Sequence, residues 1–128
     1  MSNLPDDLLY TEEHEYLRKN SDGTYTVGIT DYAQGELGDI VFVELPSEGD
    51  NFAKMDTFGT IEAVKAVSDL YCPVEGEIAE ANVALDDDPS VVNSDPYGDG
   101  WMIRLRVADE GDLDGLMNAA DYAAHIGE

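Results

Sequence analysis

Polar and apolar positions alternate most regularly along Trp101-Met102-Ile103-Arg104-Leu105-Arg106-Val107, the two-residue period of a strand with one buried face. Glu15 to Lys19 and Thr24 to Thr30 flank Asn20-Ser21-Asp22-Gly23. The Asp-Gly pair supplies the positive φ of a hairpin turn, so the two flanks predict paired strands. Ile40 to Leu45, Thr57 to Val64, Val67 to Tyr71 and Glu77 to Val83 are β-prone and predict further short strands. Pro46-Ser47-Glu48-Gly49-Asp50 and Pro73-Val74-Glu75-Gly76 break these runs. Helical signals are brief. Tyr10-Thr11-Glu12-Glu13-His14 has a Thr cap before acidic residues and predicts one helical turn, and Thr30 to Gly38 is bounded as a short helix. Leu113, Leu116, Met117 and Ala120 recur at helical spacing, so a helical segment is expected over about 112–127. Leu85 to Gly100 reads as loop. The pattern predicts a mainly β fold, a sandwich or flattened barrel of small antiparallel sheets with short helices at its N- and C-terminal ends.

The chain has 128 residues and no long linker, so a single domain over residues 1–128 is expected. A chain of this length buries roughly 65% of its unfolded surface, enough for a core without disulfide or metal staples. No apolar run approaches the roughly 18 residues of a membrane span, Met1 to Tyr10 has no signal-peptide character, and Cys72 is alone. These features predict a cytoplasmic protein. Acidic side chains number 29 against 6 basic ones, a net charge of −23. Such a charge repels phosphate backbones and excludes nucleic-acid binding. The acids run along the whole chain rather than forming a tail, which points to a halophilic source. Molar salt shortens the Debye length to about 3 Å and screens self-repulsion that would loosen the fold in dilute buffer.

His14-Glu15-Tyr16-Leu17-Arg18 begins like the zinc helix His-Glu-x-x-His but lacks the second histidine, and only His125 remains elsewhere. Asn93 to Arg104 imitates a calcium loop without its terminal glutamate, and Asp86-Asp87-Asp88 reads as a solvated acidic loop. No metal site is expected. Dinucleotide fingerprint, phosphate loop and nucleophile elbow are all missing, so the residues give no sign of an enzyme. Lys65, one of three lysines, lies between two β-prone runs in Gly59-Thr60-Ile61-Glu62-Ala63-Val64-Lys65-Ala66-Val67-Ser68-Asp69-Leu70-Tyr71. Taken alone it is a lysine near a hairpin bend, where the ordinary role is solubility.

The chain closely resembles the H-protein family of the glycine cleavage system, lipoylated carriers. The resemblance rests on Tyr10 to Glu15, Gly28-Ile29-Thr30-Asp31-Tyr32-Ala33-Gln34, Leu37 to Pro46, the Lys65 segment, Asp95-Pro96-Tyr97-Gly98-Asp99-Gly100-Trp101 and Leu116-Met117 to Tyr122. The order and spacing of these segments together make it specific. It implies a lipoyl-domain sandwich, and lipoate joined to Lys65 as N6-lipoyllysine at an exposed hairpin tip. It also implies that the lipoate-attaching enzyme reads a Glu three residues before the lysine and a Gly eleven after, the places of Glu62 and Gly76. An arm of about a dozen bonds at roughly 1.5 Å reaches on the order of 14 Å, enough to enter a neighbour's site.

By the same resemblance the protein is a carrier rather than an enzyme. The decarboxylating glycine dehydrogenase (P-protein) loads an aminomethyl group, the aminomethyltransferase (T-protein) unloads it, and dihydrolipoyl dehydrogenase (L-protein) reoxidises the arm. The loaded arm folds into a cleft, for which Glu15, Ser68 and Asp69 are expected, because a partly desolvated carboxylate favours an ammonium. Tyr16 stands where the family commonly has Trp, and Ala63 where it commonly has Ser. The alternatives are an H-protein homologue that relays lipoyl groups to other complexes, another swinging-arm domain, or an acidic binding module with Lys65 bare. A biotin site usually has Met on both sides of its lysine, whereas Lys65 has Val64 and Ala66. If the acidity is a salt adaptation, the unfolding midpoint rises steadily from dilute buffer to molar KCl; a midpoint indifferent to salt contradicts it.

Overall fold

In the computed structural model, which describes residues 4–127, the chain builds two antiparallel sheets. Strands β1 (Leu9–Tyr10), β2 (Glu15–Lys19) and β3 (Tyr25–Ile29) lead to helix α1 (Asp31–Leu37), followed by β4 (Ile40–Glu44) and β5 (Asn51–Phe52). Then come β6 (Thr57–Ala63), β7 (Val67–Tyr71), β8 (Gly76–Ala81), α2 (Ala84–Asp87), α3 (Val91–Ser94) and β9 (Ile103–Val107). A 3-10 helix at Glu110–Gly115 and α4 (Ala119–Ile126) complete the order. One sheet runs β1-β2-β3-β9-β8-β5 and the other β4-β6-β7, so the architecture is a sandwich and not a closed barrel. Among the described residues no helix is long and apolar enough to cross a membrane.

The alternating pattern of β9 works as read: Ile103 and Leu105 are fully buried, while Arg104 and Arg106 pair across the strand with Glu80 and Glu77 at 2.6 and 2.7 Å. Buried Leu17, Val27, Ile29, Val43, Ile61 and Leu70 join them in one core cluster that draws on both sheets. A second cluster of Leu8, Tyr10, Tyr16, Ala119 and Tyr122 docks α4. There Tyr10 and Tyr122 stack at 4.8 Å, and the backbones of Tyr10 and Met117 exchange two hydrogen bonds. Tyr16 is fully buried and its hydroxyl donates to the Pro96 carbonyl at 2.6 Å, so the tyrosine keeps an apolar body with a satisfied polar tip.

Several expectations are corrected. Thr11 does accept from the Glu13 and Glu15 N–H groups, as a cap would, but His14 adopts φ 70° and turns the chain into β2, so among the described residues no helix precedes β2. Leu85 to Gly100 is not all loop, since it contains the single-turn helices α2 and α3. The last strand starts at Ile103, because the Trp101 carbonyl accepts from the Asn82 side chain instead of joining the ladder. The C-terminal segment divides into the 3-10 turn and α4, whose Asn118 cap accepts from the Asp121 N–H.

Gly76 is buried where β8 meets both β5 and β9, opposite Phe52 and Val107. A Cβ there would lie 2.7 Å from the Arg106 carbonyl oxygen and 3.0 Å from Leu105. Packing alone therefore requires glycine at this position. Gly76→Ala is expected to cost about 1–3 kcal/mol in denaturant titration. Gly115→Ala, whose Cβ meets nothing within 4 Å, is expected to stay within about 0.5 kcal/mol of the parent; equal behaviour of the two variants contradicts the packing account.

Candidate functional site

Strands β6 and β7 are joined by Val64-Lys65-Ala66, and all three residues are exposed. The Ala63 N–H donates to the Ala66 carbonyl at 2.8 Å and closes the connection. The Val64 N–H points to the β4 side and donates to the Asp39 carbonyl at 3.0 Å, which extends the β4–β6 pairing past Ile40 and Ala63 to the turn between α1 and β4. Gly38 stands in that turn with φ 81° as the C-cap of α1. An ideal Cβ on Gly38 would lie 3.2 Å from Lys65 Cε and 3.3 Å from Cδ, so the lysine stem passes directly over the glycine. The backbone conformation and the overlying stem both favour glycine there.

Glu62 lies in register between Phe42 on β4 and Val67 on β7, which puts it on the same sheet face as two exposed apolar side chains. Gly76 does not join this group. It lies beyond the far end of β7, a strand of five residues that spans roughly 16 Å at ~3.3 Å per residue.

Glu15, Ser68 and Asp69 do come together, along one cleft of about 290 Å³ between β2, α1 and β7. His14, Glu36 and Leu37 line it as well. Leu37 precedes Gly38, the glycine under the Lys65 stem, in the chain. Glu13, Glu15, Glu36 and Asp69 bring four carboxyl groups to the lining, and no lysine or arginine is among its described residues. A cationic cargo is favoured by such a lining and an anionic one is not.

Glu15 is only 2% exposed, buried far more deeply than a surface acid. One carboxyl oxygen accepts from the Thr11 hydroxyl at 3.0 Å and the other from the Tyr71 N–H at 3.1 Å, the latter on the outer edge of β7. Burial pushes its pKa up from 4.5 to about 8, against the downward pull of those two bonds. At neutral pH burial therefore keeps Glu15 largely protonated, and an ammonium beside it favours release of that proton.

His14 and Glu36 are cleft residues that sequence reasoning did not single out for this role. The His14 ring shares a 2.8 Å hydrogen bond with the Tyr122 hydroxyl, which also bonds the Thr30 hydroxyl at 2.9 Å. Burial, then the neighbouring His125, lowers the His14 pKa and favours the neutral ring. The incomplete zinc motif was the one signal at His14, and it pointed to different chemistry. Cys72 is fully buried, and burial raises its thiol pKa to about 12, so it is withdrawn from thiol–disulfide exchange.

Because the folded chain holds the Glu15 proton more tightly than the unfolded chain, this group favours folding fully at low pH, and that contribution is lost as pH rises toward 8. The stability of the parent relative to Glu15→Gln is expected to fall by on the order of 1 kcal/mol per pH unit between about pH 5 and pH 8. Urea midpoints of both proteins across that range measure it, and a constant difference contradicts the burial argument.

Comparison with known proteins gives a uniform result. The family model described as Glycine cleavage H-protein matches residues 8–128. A glycine cleavage system H protein of Chromobacterium violaceum is 54% identical over 127 residues, covering 99% of each chain. One from an Enterobacter species is 55% identical over 124 residues, covering 97% of this chain and 96% of its own. The crystal structure of a glycine cleavage system H protein from Mycobacterium marinum superposes with a TM-score of 0.89 at 38% identity, covering 98% of this chain and all of that one. An exposed lysine hairpin beside an acid-lined cleft, on a sandwich of this topology, thus accompanies similarity along the whole chain: the protein belongs to the glycine cleavage H-protein family, carriers of a lipoyl group within the glycine cleavage system and not themselves catalysts.

Proposed function

We propose that Lys65 is the residue that carries lipoate, and that residues 1–128 act as one carrier domain between the decarboxylating glycine dehydrogenase, the aminomethyltransferase and dihydrolipoyl dehydrogenase. The observation that carries this reading is the exposed Val64-Lys65-Ala66 connection, pinned to Asp39 and followed by a strand whose Ser68 and Asp69 line the cleft. Attachment needs the neutral amine. Its nitrogen attacks the carbonyl carbon of an activated lipoyl group, a C–N bond forms, the activating group leaves, and one proton is released. When bound, the lipoyl group supplies a disulfide–dithiol couple and the sulfur that bears the aminomethyl cargo.

This chain's residues supply presentation and shelter. A stiff hairpin lowers the ordering cost each enzyme meets when it receives the same amine in the same direction. Glu62, between exposed Phe42 and Val67, is suited to direct contact with the lipoate-attaching enzyme. Gly76 serves that enzyme indirectly, by letting β8 and β9 pack. In the cleft Glu15 gives up its proton as a cationic cargo arrives, and Ser68 and Asp69 add polar groups on the β7 side. Cytoplasmic residence is supported by the single buried thiol, and a halophilic source by the net charge of −23.

Lys65→Arg keeps the charge and removes the acylable amine, so it is expected to fold within about 0.5 kcal/mol of the parent while lipoate ligase labelling falls to background. Glycine decarboxylation reconstituted with the three partner enzymes is expected to fall with it. Labelling that survives in the variant moves the attachment to Lys19 or Lys54 and overturns the reading.

A further inference from the structure

Asn93 lies outside both the hairpin and the cleft, in the single-turn helix α3, yet its side chain reaches the turn on which the lysine hairpin rests. Its Oδ1 accepts from the Ile40 N–H at 2.8 Å. Its Nδ2 donates to the Gly38 carbonyl at 2.9 Å and to the Gln34 Oε1 at 3.0 Å. Gln34 is held in turn, because its Nε2 donates to Asp31 at 2.8 Å. One half-buried amide thus fixes both ends of Gly38-Asp39-Ile40 and anchors them to α1. The middle residue of that segment aims its carbonyl at the Val64 N–H, and the first supports the Lys65 stem.

The chemistry of the position is narrow. The site needs an acceptor for Ile40 and two donors for Gly38 and Gln34, all from one short side chain. Asparagine provides that set. Aspartate, of the same shape, has no donor when ionised and would set its charge against two oxygens.

We propose that Asn93 is a positioning residue for the carrier lysine: by fixing the Gly38-Asp39-Ile40 turn it sets the direction and stiffness with which Lys65 is presented to the enzymes that modify and use it. The inference rests on the reading of Lys65 as the lipoylated residue. It concerns the lysine's support and not the cargo cleft, because Asn93 takes no part in lining that cleft.

The test compares full-length Asn93→Asp and Asn93→Ala with Asn82→Ala, all in molar KCl. Asn82 also bonds two carbonyls through its side chain, at Asp99 and Trp101, and neither belongs to the turn. In both Asn93 variants, amide exchange at Val64 is expected to quicken roughly tenfold relative to Leu105. The KM of a lipoate ligase for these chains is expected to rise roughly fivefold with kcat little changed, because the enzyme must order a looser amine. Asn82→Ala lowers stability without either effect. Gln34→Ala removes one acceptor and is expected to move both readouts less, in the same direction; it carries the test if the Asn93 variants do not fold. Val64 exchange that rises only in step with Leu105, or ligase kinetics shared with Asn82→Ala, overturns the proposal. A parent chain left unlabelled overturns the Lys65 assignment instead, and Val64 exchange then still reports on the turn.

Discussion

The hydrogen bond from the Val64 N–H to the Asp39 carbonyl carries the pairing of β6 with β4 one residue past Ile40 and Ala63, into the turn that follows α1. Hairpin ends fray readily, because their last residues have few partners and much conformational entropy to regain. Here the residue before Lys65 spends its free donor on a segment that α1 and Asn93 already hold. Order is thereby extended to the base of a side chain whose own atoms must remain free. A carrier needs both properties, since one amine must be found in the same orientation by several enzymes.

The cleft is governed by a different balance. A carboxyl group buried among strands would be costly if ionised and alone. Glu15 lowers that cost by accepting from Thr11 and Tyr71 and by holding its proton to about pH 8. An ammonium entering beside it changes the preferred state, so the same burial that keeps Glu15 neutral strengthens attraction once a cation is present. Asp69, Glu36 and Glu13 add negative groups on the approach. Tyr122 links this region to the second core cluster through His14 and Thr30, so the C-terminal helix braces the wall that presents Glu15.

Much of the sheet was legible because its signals are local: alternation in β9, the Asp-Gly turn between β2 and β3, and the Thr30 and Gly38 bounds of α1. What escaped depends on contacts distant in sequence. The two-residue strands β1 and β5 are defined only by their partners. The helical turn expected at Tyr10–His14 gave way because Thr11, Glu15 and Thr30 draw the chain into a left-handed residue at His14. For the site, Lys65 carried no periodic signal that separates a carrier lysine from a solubilising one, and its assignment came from resemblance. Glu15 was expected in the cleft, but its burial was not visible in a chain with 29 acids. Asn93 drew notice only as the first position of an incomplete calcium loop, while its real partners lie 53 to 59 residues away.

The central claim is that one particular nitrogen bears the arm. Its most direct test is the intact mass of the protein taken from its native host, followed by peptide mapping across Lys19, Lys54 and Lys65. The account predicts the increment of a single lipoyl group, confined to the peptide that contains Lys65. An unmodified chain from cells that are actively cleaving glycine, or an increment on either other lysine, contradicts it.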